Sequence, residues 1–283
     1  MAKIAVESER VPVRRVLARG DGWSVSDVIC CAGPHDRPFE EQHSEVCVAL
    51  VTEGTFQYRS SGGRELMTPG SLLLGNAGQP FECSHEHGVG DRCLSFAYDP
   101  PYFDELIAEA GIRSRGTRFL PIRVPPARKL SPLAARVCAG REQSTFKEWE
   151  EISLELPALA LELAGGGTAS LGTVPSAEAR VTRVLRVIES HPNLDHGLAS
   201  LAGHAKLSRY HFLRIFRQLT GLTPHQYVLR IRLRRAATLL VLGSAQVVDI
   251  ALDSGFGDIS NFNRMFRAEF GVSPRQFRAG RRS

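Results

Sequence analysis

A segment of this 283-residue chain occurs twice, fifty residues apart, close to its C-terminal end. The first copy runs Phe212-Leu213-Arg214-Ile215-Phe216-Arg217, followed by Gly221, Pro224, Gln226 and Tyr227. The second runs Phe262-Asn263-Arg264-Met265-Phe266-Arg267, followed by Gly271, Pro274, Gln276 and Phe277. Each copy places two aromatic rings at i and i+4, one above the other on a helix, with basic residues between them. A glycine then ends the helix, and Thr223-Pro224 or Ser273-Pro274 opens the next one. A paired basic amphipathic unit suits a long, regular polyanion, and double-stranded DNA is such a ligand.

The charge distribution supports that reading. Residues 176–283 hold 17 Lys+Arg against 7 Asp+Glu, a net +10, while the rest of the chain is −5. The basic part calls for a polyanion and the acidic part for another kind of partner. A solvated basic face would explain one charge run, but it does not explain arginines that recur in register with a repeat. The chain has no run of eighteen apolar residues and no charged-then-apolar leader, so a cytoplasmic protein is expected. Its six cysteines are too sparse for a disulfide framework and read as thiols of a reducing compartment.

Two domains are expected from the length and from the pattern. Residues 1–164 form the first, 165–177 a small, polar linker, and 178–283 the second. Short apolar runs such as Val46 to Val51, Phe56 to Tyr58 and Leu72 to Leu74, separated by turn residues, predict an antiparallel β-barrel or sandwich. From Pro101 the period becomes helical. Phe146, Trp149, Ile152, Leu156, Leu159 and Leu163 mark one apolar face, either core or a seam between two copies of the chain. Pro157 should kink or divide that helix.

Seven helical segments follow the linker, with Ser208 and Asp258 placed as N-caps of the third and sixth. Each repeat therefore reads as a short helix, a tight turn and a second helix with a basic outer face, which is a helix-turn-helix. Phe212, Phe216, Phe262 and Phe266 face inward. The opposite face carries Arg209, Tyr210, Leu213, Arg214 and Arg217 in the first unit, and Ser260, Asn261, Asn263, Arg264 and Arg267 in the second. Arg can bond guanine O6 and N7 together, and Asn can do the same for adenine. Arg217 and Arg267, further along their helices, suit phosphate.

Over about residues 180 to 280 the pattern resembles the AraC/XylS family of transcriptional regulators. Tyr227, Arg232-Leu233, Ile250-Ala251, Gly255-Phe256, Phe262, Phe266 and the Gly271-Val272-Ser273-Pro274 close carry the likeness. The resemblance implies two helix-turn-helix units joined by a long helix and entering successive major-groove segments. It implies base contacts from Tyr210, Arg214, Asn261 and Arg264, with Leu213 against a thymine methyl. It also implies a cupin-like β-barrel ahead of the DNA-binding region.

In that barrel the cupin metal pattern is broken: His43 remains, but Glu41, Cys47 and Phe81 stand where other ligands are expected. A cupin oxygenase is therefore not expected, and the chain reads as a non-enzyme. Cys83, His85 and His87 alternate on one strand, with Cys93 beyond a turn. These four could hold zinc or another divalent metal, and Cys83 with Cys93 could instead form a redox pair. Buried thiols and surface imidazoles are the plainer account.

The partners expected are double-stranded DNA, a second copy of the chain, RNA polymerase and an unidentified small-molecule effector. The leading reading is a sequence-specific regulator, more naturally an activator, controlled through its barrel. The alternatives are a metal-dependent cupin enzyme with secondary DNA binding, and an effector-independent dimeric DNA-binding protein.

Overall fold

The computed structural model describes residues 12–34, 36–85, 90–109, 118–143, 145–165 and 175–280. Ten strands lie in the N-terminal part: β1 Val13–Gly20, β2 Trp23–Cys30, β3 Phe39–Gln42, β4 Val46–Gly54, β5 Phe56–Ser60, β6 Gly63–Met67, β7 Leu72–Gly75, β8 Pro80–Ser84, β9 Asp91–Tyr98 and β10 Arg123–Val124. They form two sheets, β1-β2-β9-β4-β7-β10 and β3-β8-β5-β6, paired antiparallel throughout. The period-2 alternation splits the larger sheet into two apolar faces. Val25, Val48, Leu50, Leu72, Leu74, Leu94 and Phe96 turn outward under the helices, and Ala49, Val51, Leu73 and Cys93 turn inward toward the smaller sheet.

The outer face is covered by α1 Pro100–Glu109, α2 Ser131–Gln143 and α3 Phe146–Ala164. Trp149, Ile152, Leu156 and Ala160 of α3 are all buried there, so the central part of the apolar stripe is core. Of the two outcomes expected at Pro157, a kink or a division, the division does not occur, and α3 runs through it. A proline removes the N–H that would bond the carbonyl four residues back, here Ser153. That carbonyl instead accepts the Tyr98 hydroxyl at 2.9 Å from the sheet below. The lost helical bond is replaced by one that pins helix to sheet, and burial of the stripe holds the rest.

The C-terminal part contains α4 Pro175–Ser190, α5 Leu198–His204, α6 Arg209–Thr220, α7 Pro224–Leu242, α8 Val247–Asp253, α9 Ile259–Phe270 and α10 Pro274–Ala279. These are the seven segments read from the sequence. Helix α4 begins inside the stretch expected as linker, and residues 166–174 of that stretch lie outside the described residues. Two separate cores form. One gathers Val181, Leu185, Leu201, Phe212 and Phe216 around α4, and the other Leu233, Leu240, Phe256, Phe262 and Phe266 around α7.

The two parts of the chain are docked through each core. Leu66 of β6 joins the first and Ala135 of α2 joins the second. Arg123 of β10, buried, donates to the Thr220 carbonyl at the end of α6 at 3.2 Å and pairs with Glu65 at 3.5 Å. Glu269 of α9, its side chain only 8% exposed, accepts from Ser131 and pairs with Arg230 and Arg128. At Gly70, which adopts φ 88°, the Arg234 guanidinium reaches across the seam to within 2.1 Å of where a Cβ would stand.

Candidate nucleic-acid interface and barrel cavity

The two helix-turn-helix units are built by the same local rules. The Ser208 side chain accepts from the His211 N–H, and Asp258 accepts from the Ser260 and Asn261 N–H groups, so both outer helices start on a cap. Both end on a left-handed glycine, Gly221 at φ 78° and Gly271 at φ 80°. Inside, Phe212 packs tilted against Phe216 at 5.4 Å and Phe262 tilted against Phe266 at 5.5 Å. Phe216 meets Tyr227 edge-on, and Phe266 meets Phe277 edge-on. The shared aromatics are the scaffold.

The copies differ in their turns. Four residues separate α5 from α6 and five separate α8 from α9, so the fifty-residue spacing holds for the outer helices but not for the helices before them. The left-handed position is Lys206 at φ 51° in the first turn and Gly255 at φ 89° in the second.

Arg209, Arg214 and Arg217 are exposed on α6, and Leu213 is half-buried beside them. Tyr210 lies in the first turn of that helix. Ser260, Asn261, Asn263, Arg264 and Arg267 are all exposed on α9. Docking of the barrel therefore leaves both outward faces open. Arg264 is held by a hydrogen bond from its guanidinium to the Asn261 side-chain oxygen at 3.0 Å. The connecting helix α7 starts on a capping box between Thr223 and Gln226 and, with 19 residues, is about 28 Å long.

Between the two sheets lies a cavity of about 280 Å³. Its wall includes Arg14, Glu41, His43, Cys47 and Phe81, so the residues at the broken cupin positions do converge. His43 stacks on Phe81 at 4.2 Å and meets the Tyr58 hydroxyl at 2.7 Å. Burial pushes its imidazole down to about 4, so the ring that meets the phenol is neutral. Gly75 makes room for this ring, since a Cβ there would lie 2.3 Å from His43 Nε2. The arrangement is an aromatic and hydrogen-bonded wall.

The four residues read as metal ligands are distributed differently. Cys83 on β8 and Cys93 on β9 face the same interior from opposite sheets as unbridged, buried thiols. Burial raises both thiols well above their usual range, which disfavours the thiolate a redox pair needs. His87 lies outside the described residues. His85 sits just beyond β8 with its Nε2 2.6 Å from Asp91 Oδ2, and it also bonds Cys30. Burial opposes its charge, yet the bonds to Asp91 and Cys30 prevail and raise it to about 9.

Sequence reasoning missed Cys30 and Asp91. They are far apart in the chain and meet because β2 pairs with β9, with Cys30 directly opposite Asp91. It also missed the seam residues Arg123, Arg230 and Glu269, which carry no motif.

Two family models match. A model described as AraC-like ligand binding domain matches residues 32–160, and one described as helix-turn-helix domain matches residues 201–280. The chain is 39% identical over 104 residues to the HTH-type transcriptional activator RhaS of Klebsiella pneumoniae, a match covering 37% of each chain. It is 33% identical over 154 residues to the RhaS of Escherichia fergusonii, covering 54% of each. These matches thus span between about a third and a half of the relatives' length. Among solved structures, the DNA-binding domain of AdpA, a global transcriptional factor in complex with a target DNA, is 31% identical. That match covers 36% of this chain and 93% of the other, with a TM-score of 0.36.

Proposed function

Because the chain belongs to the AraC/XylS family of transcriptional regulators, we propose that it is a sequence-specific DNA-binding regulator whose barrel senses a small effector. One observation carries the DNA reading: two capped helices, joined by one continuous helix, keep their basic outer faces exposed in the full chain. A rigid spacer of about 28 Å suits two helices in successive major-groove segments, roughly 34 Å apart on one side of the duplex. Tyr210, Arg214, Asn261 and Arg264 stand near the helix N-termini, where base edges are reached. Arg217 and Arg267 stand further along, where phosphate is nearer. Differences at matched positions, Leu213 against Asn263 and Tyr210 against Ser260, give the two units different base preferences.

The cavity supports an effector site. At about 280 Å³ it lies near the small end of ligand pockets, roughly 300–1,000 Å³, and mixes apolar wall with Arg14, Glu41 and Glu45. Its occupant is accordingly a small, polar or charged organic molecule. Activation of transcription, a homodimer and contact with RNA polymerase complete the reading, by analogy with relatives named as activators. Among the described residues no helix is long and apolar enough to cross a membrane.

The test is selection of bound sequences from random duplex DNA with the full chain, followed by footprinting. An asymmetric half-site per chain, with two protected major-groove segments about one helical turn apart and present twice where a homodimer binds, is the expected result. Binding indifferent to sequence would overturn the proposal.

A further inference from the structure

Among the described residues, one group of potential metal ligands stands out: Cys30, His85 and Asp91, whose ligand atoms all lie within 4.8 Å of one another. They come from both sheets, at one end of the cavity. Cys30 closes β2, Asp91 opens β9 directly across the ladder, and His85 follows β8 of the opposing sheet. All three are shielded: Cys30 is 5% exposed, and the His85 and Asp91 side chains are 1% and 8% exposed. A carboxylate, an imidazole and a thiol buried together are an unusual set for a structural core, since each must find a partner.

We propose that Cys30, His85 and Asp91 form a site for a zinc-like divalent transition metal on the wall of the barrel cavity. Three mixed N/O/S ligands are the donor set of an open zinc site, in which the fourth position is left to water or a ligand. Cys30 and Asp91 also line the cavity, so that fourth position opens onto the same space as the effector. Tetrahedral coordination needs ligand atoms about 3.3–3.8 Å apart, given metal–ligand distances near 2.0–2.3 Å. The separations in the cluster, 2.6 Å between His85 and Asp91 and at most 4.8 Å for any pair, bracket that range. His85 and Asp91 share a proton at 2.6 Å, and the metal would take the place of that proton as the two side chains part slightly.

The surroundings favour a soft ion over magnesium or calcium. Cys83 and Cys93 line the same cavity, and the Cys93 thiol lies 3.5 Å from Asp91 Oδ1. This site is distinct from the broken cupin positions, which are occupied by the His43–Phe81–Tyr58 contacts. It stands on the barrel residues alone and does not depend on how the C-terminal units read DNA.

The test is titration of the reduced, chelator-treated full chain with Zn²⁺ against a chromophoric chelator, and separately with Co²⁺ by absorption. One ion per chain is expected, with a thiolate-to-cobalt charge-transfer band. Cys30→Ser and Asp91→Asn should each weaken binding on the order of tenfold or more and diminish that band or shift it. Cys138→Ser, a thiol on α2 away from the cluster, should change neither. Asn can still hydrogen-bond His85, so Asp91→Asn is expected to keep the fold, checked by a cooperative unfolding transition without metal. Binding of Cys30→Ser and Asp91→Asn at the wild-type level, or no cobalt band in the wild-type chain, would overturn the site. Operator binding by the metal-free chain tests the DNA reading separately.

Discussion

Arg264 and Arg267 are neighbours on α9 with different expected jobs, and the contrast can be measured. Both are exposed, but Arg264 is oriented by Asn261 at 3.0 Å near the capped end of the helix. A bidentate arginine contact to guanine discriminates by about 1–3 kcal/mol. Arg264→Ala should therefore weaken the preferred site by about 5- to 150-fold and flatten the preference at one base position. Asn261→Ala removes its own contact and also frees the guanidinium, whose ordering costs about 0.5–1.5 kcal/mol on binding. The double variant should consequently lose less than the sum of the two single losses.

Arg267→Ala should instead weaken all sequences alike and lower the salt slope of binding by about one counterion. Fluorescence anisotropy over a series of salt concentrations, using the preferred duplex and single-base variants, separates the two behaviours. An unchanged base profile in Arg264→Ala would refute the assignment. So would a changed profile in Arg267→Ala with no change in salt slope.

Two further outcomes follow from buried polar groups. Tyr98→Phe leaves the Ser153 carbonyl without its partner and should cost about 1–3 kcal/mol by chemical denaturation. Pro157→Ala restores an N–H for that carbonyl, so Tyr98→Phe should cost clearly less in that background; an equal cost in both would disprove the compensation. Glu189 on α4 accepts the Tyr227 hydroxyl at 2.9 Å, and burial raises its carboxyl from 4.5 to about 7. The folded chain then holds a proton that the unfolded chain releases. Its contribution is full below about pH 4.5, declines as pH rises toward 7 and is level above, a fall of about 3 kcal/mol. Glu189→Gln should remove that slope in denaturation midpoints compared across the range, and a persisting slope would point to another group.

The C-terminal half was legible because its information is local. Spacing of Phe212, Phe216, Phe262 and Phe266, caps at Ser208 and Asp258, and stops at Gly221 and Gly271 each act within a few residues, and all seven helices follow from such signals. The barrel was legible as β, whereas the cavity lined by His43, Cys47 and Phe81 and the cluster beside it were not. Alternation placed Cys83 and His85 on one face, whereas strand order decides that Cys30 and Asp91 meet His85. That α3 continues through Pro157 was not legible for a related reason: the cost of proline is local, and the tertiary bond from Tyr98 that offsets it is not visible in sequence.

The strand β10 has only two rungs on the larger sheet, Arg123 with Leu73 and Val124 with Leu72. Leu73 forms part of the cavity wall, while Arg123 grips the last turn of α6 through Thr220. Cavity and reading head are thus separated by a single rung of backbone hydrogen bonds. A two-rung ladder contributes little backbone pairing of its own, so the place of β10 beside the four-residue β7 rests on buried side chains, Val124 under the helices and Arg123 between Glu65 and Thr220. Any displacement of Leu73 would therefore reach Thr220 through the single residue paired with it, Arg123.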